Sequence, residues 1–325
     1  MTTLTLLQAF DFRVSQDRLW LATIGPTDIK LESGAYAYQL KGSFVYTASG
    51  DFSGTASSVS LFIDNAETYR ITGMSHDALQ MAVYTNPGQT QALYGYVFGG
   101  NDTLAGSAGN DGLLGYAGDD TISAGAGADF ISGGAGNDRI DGQAGVDTAA
   151  YSGNRSAYTI TRTAAGFTVS DSRGVDGTDT LAGVERLVFA DKTLALDVDA
   201  GATGGEAYRL YQAAFARTPD AKGVGYWISV MEKGASLESV AQGFITSKEY
   251  ADAYGSNPGN RDLVTKFYQN ILHRDPEKAG LDYWAGRLDD KAPVASVLAA
   301  ISESKENIDG TAAVIGAGFE FIPYG

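Results

Sequence analysis

The sequence predicts a multidomain β + α protein: an N-terminal β domain, a parallel β-roll of six nonapeptide repeats with a β flank, and a C-terminal all-α duplicated domain. Three observations carry this reading. Asp recurs at a fixed period of nine from residue 102 to residue 147. A zone of helical periodicity repeats itself at an offset of 57 residues. Elsewhere, short alternating runs rich in Thr, Tyr, Val and Phe are bounded by turn residues, which is the pattern of strands.

Composition narrows the chemistry. A chain of 325 residues has room for two or three domains, each with a core. A net charge of −16 argues against nucleic acid and against anionic lipid as partners, and it suits cations. The absence of cysteine excludes disulfides, Cys-ligated metals and thiol catalysis. Only His76 and His273 could serve a zinc site or a His-based triad. The 42 glycines are roughly twice ordinary usage. The first twenty residues lack a basic region, and the apolar run at 4–7 is too short for a signal peptide. No window reaches the ~18 apolar residues that span a bilayer. The expectation is a cytosolic protein, or one exported without an N-terminal signal.

Residues 1–96 read as a β domain: Tyr36, Tyr38 and Leu40 alternate, as do Phe44 and Tyr46, and 59–63 and 69–72 read as strands. Residues 97–150 form the repeat zone. Each periodic Asp (102, 111, 120, 129, 138, 147) is preceded two residues earlier by Gly and followed two residues later by Leu104, Leu113, Ile122, Ile131, Ile140 or Ala149. Residues 151–204 return to strand-like text at 158–161, 167–169 and 187–189, as a flank that continues the roll. Residues 205–306 hold the two helical copies, each read as about three short helices, with Asp275-Pro276 as N-cap and first helical residue. Tyr211, Arg217, Pro219, Gly223, Tyr226-Trp227 and Ser247-Lys248-Glu249 match Tyr268, Arg274, Pro276, Gly280, Tyr283-Trp284 and Ser304-Lys305-Glu306. Residues 307–325 are left as a C-terminal tail.

The nine-residue period has a chemical consequence. The best copy, Gly133-Gly134-Ala135-Gly136-Asn137-Asp138-Arg139-Ile140-Asp141, reads G-G-x-G-x-D-x-U-x, a calcium-binding parallel β-helix repeat. Its glycine half can only turn, and its apolar half is a strand of about three residues. Two copies make one coil, so Asp102, Asp120 and Asp138 line one edge and Asp111, Asp129 and Asp147 the other. Residues 97–150 hold eight Asp and one Arg. One apolar residue in nine cannot offset a chain entropy of about 1–2 kcal/mol per residue, and stacked carboxylates repel. Several Ca2+ ions would resolve both problems, since calcium takes six or more oxygen ligands while magnesium keeps its waters. The candidate ligands are the six Asp side chains with the backbone carbonyls of Gly106, Ala108, Gly115, Ala117, Ala124, Ala126, Gly133 and Ala135. Asp119, Asp141, Asp176 and Asp179 are further candidates. The competing reading, a flexible Gly/Asp linker, does not explain the unbroken register.

The stretch GGNDTLAGSAGNDGLLGYAGDDTISAGAGADFISGGAGNDRIDG resembles the calcium-binding β-roll of RTX (repeats-in-toxin) proteins. Asp147 to Arg155, and Gly177 to Leu181 with Val184-Glu185, resemble the β segment that follows such rolls. The duplicated zone is similar to a helical domain of undefined role in secreted RTX proteins, distantly like phycobilisome linkers. The resemblance implies export by a type I secretion system on an uncleaved C-terminal signal, and a place outside a Gram-negative bacterium. The apolar tail Gly318-Phe319-Glu320-Phe321-Ile322-Pro323-Tyr324-Gly325 resembles such a signal, against a reading as a packed last strand. Val97-Phe98 and Ala124 depart from Gly, so the first turn is expected half-formed, and Ala149 suggests that the roll is closing.

Other residues take the plainer reading. Trp227 and Trp284 are expected in the core rather than stacked on sugars. Arg217 and Arg274 are expected in helix-end or local ion pairs. His76-Asp77 invites a dyad, but no Gly-x-Ser-x-Gly, His-Glu-x-x-His or P-loop completes a site. The expected function is a secreted, calcium-dependent, non-enzymatic structural or interaction protein of a surface layer, adhesion or matrix. A polysaccharide- or small-molecule-binding protein is the alternative, and an extracellular hydrolase or lyase follows. The expected partners are the type I secretion machinery, cell-surface polysaccharide or a second copy of the chain.

Overall fold

A computed structural model describes residues 99–255 and 257–324, together with the backbone of six strands among the first 77 residues. The chain divides into two compact units, Met1–Asp191 and Lys192–Gly325.

In the first unit, β1 (Thr3–Leu6), β2 (Trp20–Ile24), β3 (Asp28–Ser33), β4 (Tyr36–Tyr46), β5 (Phe52–Ile63) and β6 (Ala66–Asp77) are the N-terminal strands. The expected strands 59–63 and 69–72 fall inside β5 and β6. The run β2–β3–β4–β5–β6 is an antiparallel meander, and β1 pairs antiparallel with β6. His76 lies on β6, and its side chain is outside the described residues, as are Val97 and Phe98.

The repeats then fold as the period requires. Each yields one three-residue strand: β7 (Thr103–Ala105), β8 (Gly112–Leu114), β9 (Thr121–Ser123), β10 (Phe130–Ser132), β11 (Arg139–Asp141) and β12 (Thr148–Ala150). Odd copies stack in parallel as β7–β9–β11 and even copies as β8–β10–β12. The first odd strand also pairs in parallel with β1, Leu4 opposite Leu104, so the N-terminal strands and the odd face share one sheet. The apolar residue of each copy points inward: Leu104, Leu113, Ile122, Ile131, Ile140 and Ala149 are all at most 1% exposed.

The roll does not close at Ala149. That residue sits between Ile131 and Leu187, because β16 (Arg186–Val188) stacks in parallel on β12. On the other face β15 (Thr178–Ala182) stacks in parallel on β11, Leu181 against Ile140. A hairpin of β13 (Tyr158–Thr163) and β14 (Gly166–Asp171) extends that sheet by antiparallel pairing. Tyr151, Tyr158 and Phe189 pack together with ring centroids 5.0–5.5 Å apart.

The second unit starts at Lys192, not at residue 205, because the segment before the first helix is part of its core. Ala195 and Val198 pack with Tyr208, Val224, Ile228, Phe319 and Phe321. Eight helices follow: α1 (Thr203–Phe215), α2 (Ala221–Glu232), α3 (Leu237–Ile245), α4 (Lys248–Tyr254), α5 (Asn260–Ile271), α6 (Lys278–Asp289), α7 (Val294–Ser302) and α8 (Lys305–Ile315). Each copy therefore has four helices rather than three, and α2/α6 and α3/α7 coincide at both ends when shifted by 57 residues. The fourth helix is missed because α4 has only 7 residues. The prolines precede the caps: Asp220 is the N-cap of α2 and accepts the Gly223 N–H, and Glu277 holds the same place before α6.

Residues 307–325 are not a free tail. α8 runs to Ile315, and β18 (Phe319–Phe321) pairs antiparallel with β17 (Thr193–Ala195). Phe319 and Phe321 are buried, and the Ile322 N–H donates to Ala221 O.

The residues identical between copies do the same work twice. Ser247 and Ser304 cap α4 and α8. Lys248 and Lys305 pair with Asp252 and Asp309 one turn on. Glu249 and Glu306 take Arg217 and Arg274 at 2.6 Å, and each guanidinium lies 5.0 Å from the ring centre of Tyr211 or Tyr268. Trp227 and Trp284 are half-buried against the helical core, as expected. One strong contact has no internal copy. Arg209, wholly buried, donates to both carboxylate oxygens of Glu303 (2.8 and 2.6 Å) and to the carbonyls of Val198 and Asp199. The position 57 residues on is Lys266, so the repeat gave no signal for it.

Candidate metal centre

The six periodic aspartates form two buried columns, each at most 3% exposed. Within a column the carboxylate of one coil accepts the main-chain N–H of the Asp in the coil before it. Asp102 N–H meets Asp120 Oδ1 at 2.8 Å and Asp120 N–H meets Asp138 Oδ1 at 2.9 Å. On the other edge Asp111 N–H meets Asp129 Oδ1 at 2.8 Å and Asp129 N–H meets Asp147 Oδ1 at 2.9 Å. One oxygen of Asp120, Asp129, Asp138 and Asp147 is thus spent on holding successive coils in register.

The second oxygen is the informative one. Oδ2 of Asp120, Asp129, Asp138 and Asp147 is buried with no hydrogen-bond donor. A buried carboxylate oxygen left without a partner is costly and calls for a ligand. Asp111 differs, since its Oδ2 accepts the Ser107 N–H and Oγ–H at 2.6 and 2.9 Å.

At Gly115, Gly133 and Gly142 the first residue of the repeat faces these oxygens, and here glycine is required by space. A Cβ at Gly115 would collide with both Asp120 Oδ2 and the Gly133 carbonyl oxygen. One at Gly133 would collide with Asp138 Oδ2, and one at Gly142 with Asp147 Oδ2 and the Gly183 carbonyl oxygen. At Gly115 and Gly142 a carboxylate oxygen from one coil and a carbonyl oxygen from the next therefore converge over the same bare Cα.

Among the described residues no backbone N–H is found on the expected carbonyl ligands of Gly106, Gly115, Ala124 and Gly133, whereas that of Ala135 accepts the Gly118 N–H at 2.8 Å. Ala117 and Ala126 lie in bridges with Ala135 and Ala144. Ala108 lies in a bend.

Among the further acidic candidates only Asp179 joins a column, with Oδ1 accepting the Asp138 N–H at 2.9 Å. Asp119 belongs to an outer, exposed ladder: Asn101 accepts its N–H at 2.9 Å, and Asp119 accepts that of Asn137 at 2.7 Å. Asp141 closes a local turn onto the Gln143 N–H. Asp176 accepts the Tyr158 hydroxyl and lies 4.0 Å from Arg173.

Two members were missed in the sequence. Glu185 caps the even column, its Oε2 accepting the Asp147 N–H at 2.9 Å, and Gly183 supplies the carbonyl over Gly142. The legible signal was an acid followed two residues later by a large apolar residue. Asp179-Thr180-Leu181 and Glu185-Arg186-Leu187 have it without the glycine run.

Burial dominates the electrostatics. It pushes the carboxyls of Asp120, Asp147 and Asp179 up to about 7 and that of Asp138 to about 6, and it raises Asp129; neighbouring carboxylates add to this, from the same column at Asp120, Asp129, Asp147 and Asp179 and from Asp119 and Asp176 at Asp138. An ionised roll without a counter-charge is therefore strained. Among the described residues no three His, Cys, Asp or Glu side chains converge. The donor set is one carboxylate with main-chain carbonyls, all oxygen, which suits a hard cation of flexible coordination such as Ca2+.

Residues 96–131 and 114–149 match the family model for the RTX calcium-binding nonapeptide repeat (4 copies), so this part of the chain consists of RTX calcium-binding repeats. Residues 207–252 and 241–310 match a domain of unknown function (DUF4214). Among solved structures, the extracellular lipase LipA from Serratia marcescens aligns at 23% identity with a TM-score of 0.14. The alignment covers 28% of this chain and 13% of the lipase. No curated protein is significantly similar to the chain.

Proposed function

We propose that this chain is an exported, non-catalytic protein of the bacterial exterior whose roll folds on Ca2+. It would serve in a surface layer, an adhesion or a matrix. The observation that carries the reading is the set of buried Oδ2 atoms of Asp120, Asp129, Asp138 and Asp147 without a donor, within repeats of a calcium-binding family. Bound Ca2+ supplies positive charge that neutralises the columns and cross-links successive coils. The chain's own residues do the rest. Asp Oδ1 atoms hold the register, glycines at the first repeat position leave the carboxylates room, and the apolar columns close the interior. The affinity expected of extracellular modules, ~10⁻⁴–10⁻³ M, suits folding outside the cell. In calcium-poor cytosol the uncompensated charge would leave the acidic repeats marginally stable, opening readily enough to thread a type I secretion channel. The absence of cysteine and of the common hydrolase motifs supports a non-catalytic role. Hydrogen exchange of residues 99–150 with calcium and with chelator is the test. Equal protection in both would overturn the reading.

A second reading has its own observation. The helical unit holds a cavity of about 510 Å³ lined by Tyr226, Trp227, Tyr324, Asp220, Lys222 and Glu249. Aromatic faces beside charged groups suit a sugar. A glycan array with the parent and a Tyr226→Ala variant tests it. Binding lost in the variant would support the reading, and no binding by the parent would end it.

A further inference from the structure

The first positions of the repeats are not equivalent. Gly115, Gly133 and Gly142 each leave open the point where an Asp Oδ2 approaches, and at Gly115 and Gly142 a carbonyl oxygen from the next coil arrives there too. The fourth repeat has Ala124 at this position. Ala124 lies in the same register as its glycine counterparts. Its N–H donates to Asp141 O at 2.8 Å, as Gly115 N–H donates to Ser132 O at 2.8 Å and Gly142 N–H to Ala182 O at 2.9 Å. Its methyl is wholly enclosed, with 0% exposure. The Cβ therefore stands where Asp129 Oδ2 and the Gly142 carbonyl would otherwise meet a cation.

Resting on the calcium reading above, we propose that Ala124 closes the Asp129 cradle to Ca2+. The even column then keeps the cradle at Asp147, while the odd column keeps adjacent cradles at Asp120 and Asp138. Asp129 keeps its structural part, because its Oδ1 still accepts the Asp111 N–H. Its Oδ2 is buried and without a donor. The Ala124 carbonyl stays available to the coil before it, since a Cβ at Gly106 would collide with that oxygen. The substitution thus removes one site without removing a ligand from its neighbour.

The test counts bound Ca2+ per full-length chain by equilibrium dialysis, with calorimetry for affinity. Four proteins are compared: the parent, Ala124→Gly, Ala124→Gly combined with Asp129→Asn, and Gly115→Ala. The expected result is one additional ion for Ala124→Gly, lost again on adding Asp129→Asn, and one ion fewer than the parent for Gly115→Ala. Glycine occupies this position in four other repeats, so Ala124→Gly asks nothing new of the fold. An Ala124→Gly chain with the parent's number and affinity, while the parent binds calcium, overturns the inference alone. A parent that binds no calcium overturns the reading on which it rests.

Discussion

Asp120→Asn isolates the charge of one central cradle. The amide keeps an oxygen to accept the Asp102 N–H, now at 2.8 Å from Oδ1, so coil register survives. Two effects should separate. In chelator at about pH 8 the parent holds an ionised carboxylate whose pKa is pushed from 3.8 to about 7 by burial, a penalty of roughly 4 kcal/mol at most. Asn removes that penalty but buries an amide N–H₂ without an acceptor, at about 1–3 kcal/mol. The apo roll should then gain about 1–3 kcal/mol. In ~5 mM Ca2+, a site with Kd of ~10⁻⁴–10⁻³ M contributes RT ln(1 + [L]/Kd), or about 1–2 kcal/mol, which the variant forfeits. Hydrogen-exchange mass spectrometry of peptides within 99–150, with calcium and with chelator, reads both numbers as opening free energies. The calcium-dependent increment should shrink by about 1–2 kcal/mol while the chelator baseline rises. An unchanged increment would refute a cation site at Asp120.

Without calcium, roll stability should fall as pH rises from 3.8 to about 7. The folded-state pKa values of Asp120, Asp147 and Asp179 lie above the ordinary value, so the folded roll binds protons more tightly and loses that advantage on ionisation. Opening free energies, corrected for the intrinsic rise of amide exchange with pH, that stay flat or grow over that range would contradict this. Trp227→Ala and Trp284→Ala should each destabilise the helical unit by roughly 2–3 kcal/mol in urea with chelator, less than a fully buried ring. Unchanged midpoints would remove both from the core. Glu303→Ala leaves the buried Arg209 guanidinium without its carboxylate and should cost about 3–5 kcal/mol, read as a lower thermal midpoint of the helical unit. Deleting residues 319–325 removes β18 and should both abolish export and unfold its docking site; Ile322→Asp and Tyr324→Asp, at exposed positions, alter the tail's apolar character while sparing β18. Medium-to-pellet ratios like the parent's for both point variants would place any export signal elsewhere.

What the sequence determined here is whatever repeats. Nine-residue spacing placed all six three-residue strands, the inward Leu and Ile column and the two Asp columns, because a coil of two repeats has one geometry once its glycines turn. The 57-residue offset likewise foretold matched helices, whereas Arg217 and Arg274, expected in helix-end or local ion pairs, find Glu249 and Glu306 32 residues away. Only the tertiary structure decided what happens once per chain. Ala149 reads as an ending, yet Leu187 covers it from a strand some forty residues on. Asp179 and Glu185 reach their columns only because the β13–β14 hairpin loops out and returns the chain in register. Arg209 finds Glu303 through a bundle contact that its repeat partner, Lys266, does not make. The tail's apolar text suits a signal or a strand equally, and pairing with β17 settled its place in the fold. The physical reason is that periodic spacing encodes contacts between neighbours in a stack. A contact closed by long chain excursions depends on loop geometry and packing, and these leave no period in the sequence.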